Sequence, residues 1–116
     1  MSCKSDKFVS YFLYFSRIFK FIMKIIWSKK SEYNFDNIYN YLEQFWSPVI
    51  AQKFIKDVLK IITLLENNPM LGKYNSKLKC RSMTISKNVM LYYQINEDHI
   101  ELISFYNNRQ KPINFI

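Results

Sequence analysis

Apolar residues recur every three or four positions in two stretches of the chain, and this period predicts two amphipathic helices. Ser28 or Ser31 can cap the first helix, and Ser47 followed by Pro48 suits the start of the second. The predicted inward positions are Phe35, Ile38, Leu42 and Phe45 in the first helix and Ala51, Phe54, Ile55, Val58, Ile61, Ile62 and Leu65 in the second. Because almost no chain separates them, the two helices are expected to form a hairpin.

After the helices the pattern changes toward alternation, which is typical of β-strands. Residues 70–76 show no period and are predicted as a loop, and a first strand is expected from about residue 78. In this strand one side carries Arg81, Met83 and Ile85, and the other carries Cys80, Ser82 and Thr84. The predicted turns are 86–88 and 96–99, and the later strands are 89–95 and 100–106. Three antiparallel strands connected in this way form a meander.

A short apolar segment at residues 24–27 is predicted as an opening strand before the first helix. The fold class is therefore α+β, with an N-terminal strand and a two-helix hairpin packed on an antiparallel β-meander. A length of 116 residues with 49% hydrophobic residues suits one core. Residues 107–116 begin polar and basic, so they are expected to leave the sheet edge with Ile113, Phe115 and Ile116 available to pack back.

Composition excludes several kinds of site. The chain has one glycine, Gly72, and one histidine, His99. This removes glycine-rich phosphate loops, sites with several histidine ligands and most Ser-His-Asp arrangements. Cys3 and Cys80 lie far apart in the sequence, so neither a disulfide framework nor a CxxC pair is predicted, and a reducing cytoplasm fits best. We expect no metal and no other cofactor.

The balance of charged residues indicates a class of binding partner. Seventeen Lys and Arg residues against nine Asp and Glu residues give a net charge of +8. Such a chain suits nucleic acid or another anionic surface. A basic, soluble surface with no anionic partner explains the same balance, and both interpretations stay open.

The N-terminal residues 1–22 are treated separately because they are rich in aromatic residues. The uncharged stretch from Phe8 to Ser16 is nine residues long, whereas about 20 apolar residues are needed to span a bilayer, so no stable membrane insertion is expected. The spacing of Phe8, Phe12, Phe15, Phe19 and Ile22 also allows an amphipathic helix on a membrane surface. We favour a third interpretation, a true start at Met23, which divides the chain into an extension at 1–22 and a domain at 23–116.

The order of these signals resembles the RelE/ParE toxins of bacterial type II toxin-antitoxin systems. Residues 25–28 resemble the opening strand of that family, and Asn68-Pro69-Met70-Leu71-Gly72 resembles its Pro-x-x-Gly loop. Arg81, the tyrosine-bearing strand at 91–95 and the segment Asn108-Arg109-Gln110-Lys111-Pro112 resemble one ParE-like branch. The resemblance covers about residues 23–112 and implies the same α+β fold.

The resemblance also implies candidate site residues. Arg81, Lys87 and Arg109 are candidates for catalytic cations if the protein cleaves RNA, and an antiparallel sheet is expected to bring them toward one face. Tyr93 and Tyr106 join these three as candidates for binding a target or an antitoxin. His99 is expected to be a solvated turn residue. Where several RNA-cleaving relatives carry a reactive Tyr near the C-terminus, this chain has Phe115, which cannot donate a proton, so the ParE-like branch is favoured.

Three functions follow as expectations from the resemblance. The favoured one is a ParE-like toxin that inhibits growth by binding DNA gyrase, is neutralised by a cognate antitoxin and serves plasmid stabilisation. The alternatives are a RelE-like, metal-independent mRNA endonuclease that acts with the ribosome, and an inactive module that binds only the antitoxin. A sheet edge and a basic surface are both features that an acidic antitoxin segment can use.

Overall fold

The computed structural model describes residues 23–108. The predicted extension at 1–22 lies outside the described residues, and so do Arg109, Phe115 and Ile116. The elements in chain order are β1 (Lys24–Trp27), α1 (Lys29–Phe45), α2 (Pro48–Asn67), a 3-10 helical turn (Pro69–Leu71), β2 (Lys73–Asn75), β3 (Cys80–Ser86), β4 (Val89–Ile95) and β5 (His99–Asn107). The predicted α+β class and the order of helices and strands are confirmed.

The five strands form one sheet in the order β1-β5-β4-β3-β2. Strand β1 runs parallel to β5, and the other neighbours are antiparallel. The predicted meander is therefore β3-β4-β5, with the opening strand on one edge and β2 on the other. The helix hairpin contributes its apolar side to a single core against the sheet.

Strand β2 corrects the prediction of a continuous loop over residues 70–76. Three residues are too few to show an alternating pattern, and the strand exists because a tight turn folds it onto β3. In this turn the Asn75 side-chain oxygen accepts hydrogen bonds from the Lys77 and Leu78 amides at 2.9 and 3.0 Å. Lys79 has a φ of 57° and donates its amide hydrogen to the Asn75 carbonyl at 2.7 Å. All three residues of β2 are exposed.

Ser28, and not Ser31, caps α1, and the same serine attaches the helix to the sheet. Its Oγ accepts a hydrogen bond from the Ser31 amide at 3.0 Å and donates one to the carbonyl of Ile103 at 3.0 Å. Ile103 is available because the pairing of β4 with β5 skips this residue between Leu102 and Ser104. Asn34 adds a second attachment, since its side-chain oxygen accepts the Phe105 amide at 3.1 Å. The start of α1 is thus fixed on the middle of β5.

The hairpin is built largely as predicted, with one correction. Ser47 accepts from the Ile50 amide at 3.1 Å and Pro48 is the first residue of α2. Phe45 was predicted to face inward, but its side chain is 65% exposed. It is the last residue of α1, and its ring packs on Tyr41 with centroids 5.2 Å apart. The buried apolar positions of the two helices are Ile38, Leu42, Ala51, Phe54, Val58 and Leu65.

Candidate functional site at the two ends of the sheet

Arg81 and Lys87, the two candidate cations among the described residues, lie at opposite ends of β3. Arg81 is the second residue of β3 and Lys87 directly follows the strand's last residue. Six residues of extended chain separate them by about 20 Å. Tyr93 lies opposite Arg81, whereas Tyr106 lies opposite Met90, near Lys87. The candidates are therefore divided between two ends of the sheet, and Arg109 lies outside the described residues.

The first end is organised by the hydroxyl of Tyr93. Its ring is completely buried, and its Oη donates a hydrogen bond to the Pro69 carbonyl at 2.7 Å and accepts one from the Gly72 amide at 2.8 Å. Burial raises the pKa of the Tyr93 phenol, and the Gly72 amide and the Arg81 charge oppose this shift. The expectation that Tyr93 offers a contact surface is corrected, because its ring lies in the core and its hydroxyl binds the chain's own loop.

Gly72 is required at this end for its lack of a side chain. Its φ of −73° is ordinary for any residue, so conformational freedom is not the reason. An added Cβ would lie 2.5 Å from the Tyr93 hydroxyl oxygen and 2.8 Å from the Ser82 carbonyl oxygen. The loop therefore approaches β3 and β4 more closely than any side chain at residue 72 permits.

Arg81 completes the attachment of the same loop. One guanidinium nitrogen donates to the Gly72 carbonyl at 2.7 Å and lies 3.5 Å from the Met70 carbonyl. The guanidinium group also lies over the Tyr74 ring, 5.6 Å from its centroid. The loop latch, as we call the set of Pro69–Leu71, Gly72, Tyr74, Arg81 and Tyr93, holds the guanidinium against backbone carbonyls and an aromatic ring.

The second end carries a groove between the start of α2 and the β3–β4 turn. We call it the turn groove; its volume is about 270 Å³ and its lining residues are Leu42, Ile50, Lys53, Phe54, Asp57, Ser86, Lys87, Asn88, Val89 and Asn107. Lys53 forms an ion pair with Asp57 at 2.9 Å. Lys87 is exposed at the rim. The turn groove thus combines an apolar wall with a rim that carries two lysines and one carboxylate.

His99 belongs to neither arrangement, and its predicted place in a turn is corrected. It is the first residue of β5, and both ring nitrogens are engaged. Nδ1 lies 2.8 Å from an Asp98 carboxylate oxygen and Nε2 lies 3.0 Å from the Asn96 side-chain nitrogen. The bond from His99 lowers the pKa of the Asp98 carboxyl. From the strand register we place His99 two strands and three residues from Arg81, about 14 Å away.

Charged residues are unevenly distributed along the chain, which the overall net charge does not show. Residues 67–96 contain four lysines, one arginine and no Asp or Glu, so this segment carries +5. Residues 97–108 contain three carboxylates and no Lys or Arg. The run of 30 residues without a carboxylate is visible in the sequence, and it places the basic surface on β2, β3 and the β3–β4 turn.

Sequence reasoning found Arg81, Tyr93 and the Pro-x-x-Gly loop but missed that they bind one another. Their contacts join residues 9 to 24 positions apart, which no local period reveals. It also missed Tyr74, Asn88 and Asn107, whose positions depend on the pairing of β2 with β3 and of β4 with β5. Within residues 23–108 no cluster of three or more metal-ligating side chains occurs, and no helix there is long and apolar enough to cross a membrane.

Comparison with known proteins identifies relatives of this arrangement. The sequence profile described as "ParE toxin of type II toxin-antitoxin system, parDE" matches residues 25–112. The chromosomal ParDE system of P. aeruginosa has a similar fold, with a TM-score of 0.63, 17% identity and coverage of 74% of this chain and 96% of the other. No curated protein sequence gave a significant match.

Two further solved structures share the fold at lower similarity. The YoeB/ParE toxin of Agrobacterium tumefaciens has a TM-score of 0.52, 15% identity and coverage of 73% of this chain and 98% of the other. The YoeB-YefM complex of Staphylococcus aureus has a TM-score of 0.50, 21% identity and coverage of 72% and 94%. These likenesses concern the fold, whereas the profile match spans most of the sequence.

Proposed function

Because the chain belongs to the ParE toxin family of type II toxin-antitoxin systems, we propose that it inhibits growth by binding DNA gyrase and that a cognate antitoxin neutralises it. The observation that carries the choice of a binding mechanism is the loop latch. Arg81 donates its guanidinium hydrogens to the Gly72 carbonyl at 2.7 Å. It therefore shapes the Pro-x-x-Gly loop.

Cleavage of RNA makes demands that Arg81, Lys87 and Tyr93 do not meet at one place. It needs a base for the 2′-hydroxyl, an acid for the leaving oxygen and cations near the phosphate. Arg81 and Lys87 are about 20 Å apart along β3. The phenol of Tyr93, beside Arg81, is buried and bound to the loop backbone. Inhibition through a contact surface needs none of these groups to react.

The surface that we assign to partners is the carboxylate-free region of residues 67–96. Its exposed apolar side chains lie among the lysines of the same segment: Met70, Leu71, Tyr74 and Leu78 are all more than 40% exposed. Lys87 lies at the end of this region nearest the turn groove, Tyr106 lies opposite Met90 on the neighbouring strand, and Arg109 follows in the sequence. Apolar contacts inside a basic rim favour a partner with acidic and apolar residues.

An antitoxin is the second expected partner. One of the similar structures is named as the chromosomal ParDE toxin-antitoxin system of P. aeruginosa, and another as the YoeB-YefM complex of Staphylococcus aureus. By this similarity we propose that an antitoxin binds the present chain and covers part of its basic surface. An acidic antitoxin would bind less tightly as salt screens its charges.

The proposal is tested by measuring what stops first in growing cells. The chain is expressed from Met23 under an inducible promoter, and DNA and protein synthesis are followed by pulse labelling. We expect early loss of DNA synthesis, together with inhibition of supercoiling by purified gyrase. Early loss of protein synthesis with cleaved mRNA would overturn the gyrase target in favour of the endonuclease. Normal growth of cells that contain the soluble protein would overturn both toxic activities and leave antitoxin binding as the remaining function.

Two lysines provide a matched pair for the gyrase assay. Lys87→Gln removes a cation from the proposed surface, and Lys60→Gln removes one from the exposed side of α2. We expect the first variant to inhibit gyrase severalfold less well and the second to behave as the parent. Equal inhibition by both would show that the β3–β4 turn does not contact gyrase.

A further inference from the structure

The turn groove has an apolar wall that is partly accessible to solvent, since Ile50 is 37% exposed whereas the other three apolar residues are at most 6% exposed. Leu42, Ile50, Phe54 and Val89 supply its apolar atoms. A volume of about 270 Å³ lies just below the range of small-molecule sites, which begins near 300 Å³. The size suits one or two apolar side chains of a polypeptide better than a separate small ligand.

The chain itself leaves the sheet at the mouth of this groove. Asn107 lines the groove and pairs with Val89 across β4 and β5. The Asn108 amide donates a hydrogen bond to the Asn88 carbonyl at 2.8 Å, so residue 108 is held beside the β3–β4 turn. The chain therefore continues from a point beside the β3–β4 turn and need not cross the sheet to reach the groove.

The composition of residues 109–116 fits that position. Three polar or basic residues come first, and Pro112 then restricts the chain before Ile113 and Phe115. A chain of five to seven residues reaches at most about 17 to 24 Å from Asn108. This is enough to place either apolar side chain against the wall formed by Ile50 and Phe54.

We propose that the turn groove is the docking site for residues 110–116 of this same chain, with Ile113 and Phe115 as the side chains that fill it. Arg109 is then held beside Lys87, which brings two of the candidate cations together at this end of the sheet. The proposal does not depend on gyrase as the target, because it concerns a contact within one chain.

Charge distinguishes this occupant from an acidic partner. The rim carries Lys87 and the Lys53–Asp57 ion pair, which leaves a net positive charge, and the tail carries Arg109 and Lys111. Since like charges oppose docking, added salt is expected to leave docking unchanged or to strengthen it. An acidic peptide in the same groove would be weakened by salt.

Disulfide trapping in the full chain tests the contact without gyrase or antitoxin. In a Cys3→Ser background, Asn114→Cys is combined with Lys53→Cys on the groove rim. The control pair combines Asn114→Cys with Leu59→Cys, because residue 59 is 57% exposed on the opposite face of α2. Cys80 is buried and burial raises the pKa of its thiol, so it reacts slowly.

We expect the groove pair to form an intramolecular disulfide at least tenfold faster than the control pair, at low and at high salt. Adding Phe115→Ala should reduce this rate toward that of the control. Equal rates for the two pairs would overturn the proposal. A rate unchanged by Phe115→Ala, or disulfides found mainly between two chains, would overturn it as well, since the first indicates simple tethering and the second a contact between copies.

Discussion

The two ends of the sheet use similar residues in opposite ways. At the loop latch, Arg81 and Tyr93 direct their polar atoms to the backbone of residues 69–72 at 2.7 to 2.8 Å. At the turn groove, Lys87 is exposed and Ile50 of the apolar wall is 37% exposed. The first end shapes a loop and presents its apolar side chains, whereas the second presents a cation at the rim of a cavity that we assign to the chain's own residues 110–116.

The role of a cation therefore does not follow from its match to a family position alone. Arg81 matches the resemblance better than Lys87 does, yet its guanidinium group is bound to carbonyls of its own chain. A planar group with several donors suits such a structural task, because it can reach two carbonyls and lie on a ring at once. We therefore expect substitutions at the loop latch to lower the free energy of unfolding more than substitutions at the turn groove do.

Gly72→Ala is the substitution that we expect to destabilise the folded chain most. The added Cβ would meet the Tyr93 hydroxyl and the Ser82 backbone, and a backbone oxygen cannot move aside as a flexible side chain can. We expect the free energy of unfolding to fall by about 3 kcal/mol, measured by urea denaturation. Unchanged stability would mean that the loop is not held against the sheet, and the comparison of a rigid end with an open end would fail.

Tyr93→Phe is expected to lower the free energy of unfolding somewhat less than Gly72→Ala does. The substitution keeps the buried ring but leaves the Gly72 amide and the Pro69 carbonyl without the hydroxyl. An unsatisfied group at such a site costs about 2 kcal/mol. Tyr92→Phe is the matched control, because Tyr92 is the neighbouring tyrosine on β4 and is only half-buried. Tyr92→Phe should lower the free energy of unfolding by less than about 0.5 kcal/mol. Similar decreases in both variants would contradict the role given to the Tyr93 hydroxyl.

Arg81→Met and Lys87→Met compare the two ends directly. Arg81→Met removes the donor to the Gly72 carbonyl and the contact with Tyr74, and we expect a loss of about 1 kcal/mol because the site is partly exposed to water. Lys87→Met should change stability by less than about 0.5 kcal/mol. Chemical denaturation measures both. A larger loss at Lys87 than at Arg81 would reverse the assignment of structural and exposed cations.

The helices and the meander were predictable because their signals are local. Ser47-Pro48 starts α2, and the apolar period of each helix marks most of its buried positions. Strand β2 was not predictable, since its three exposed residues depend on the turn at Asn75 and Lys79. Phe45 was misplaced because a helical period does not show where the sheet beneath the helix ends.

The site was predictable only as a set of residue types. The sequence indicated Arg81, Lys87 and Tyr93, but their separation follows from the length of β3 and from the register of β3 with β4. The loop latch needs the Pro-x-x-Gly loop, which precedes β2, to meet a tyrosine 21 positions after Gly72. Contacts of this kind are properties of the assembled sheet, and no window of neighbouring residues contains them.

The weakest effect that we predict is confined to alkaline pH and concerns the buried phenol of Tyr93. Burial raises the pKa of Tyr93 above its ordinary value of 10.0, so the folded chain holds this proton more tightly than the unfolded chain does. Stability from Tyr93 is therefore complete below pH 10 and falls as the pH rises from there through the raised pKa. The stability gap between the parent and Tyr93→Phe should narrow above pH 10. Urea denaturation at a series of pH values measures this gap. A Tyr93→Phe gap that stays constant above pH 10 would mean that the phenol is not sealed from water, which would remove the difference in burial on which the comparison of the two ends rests.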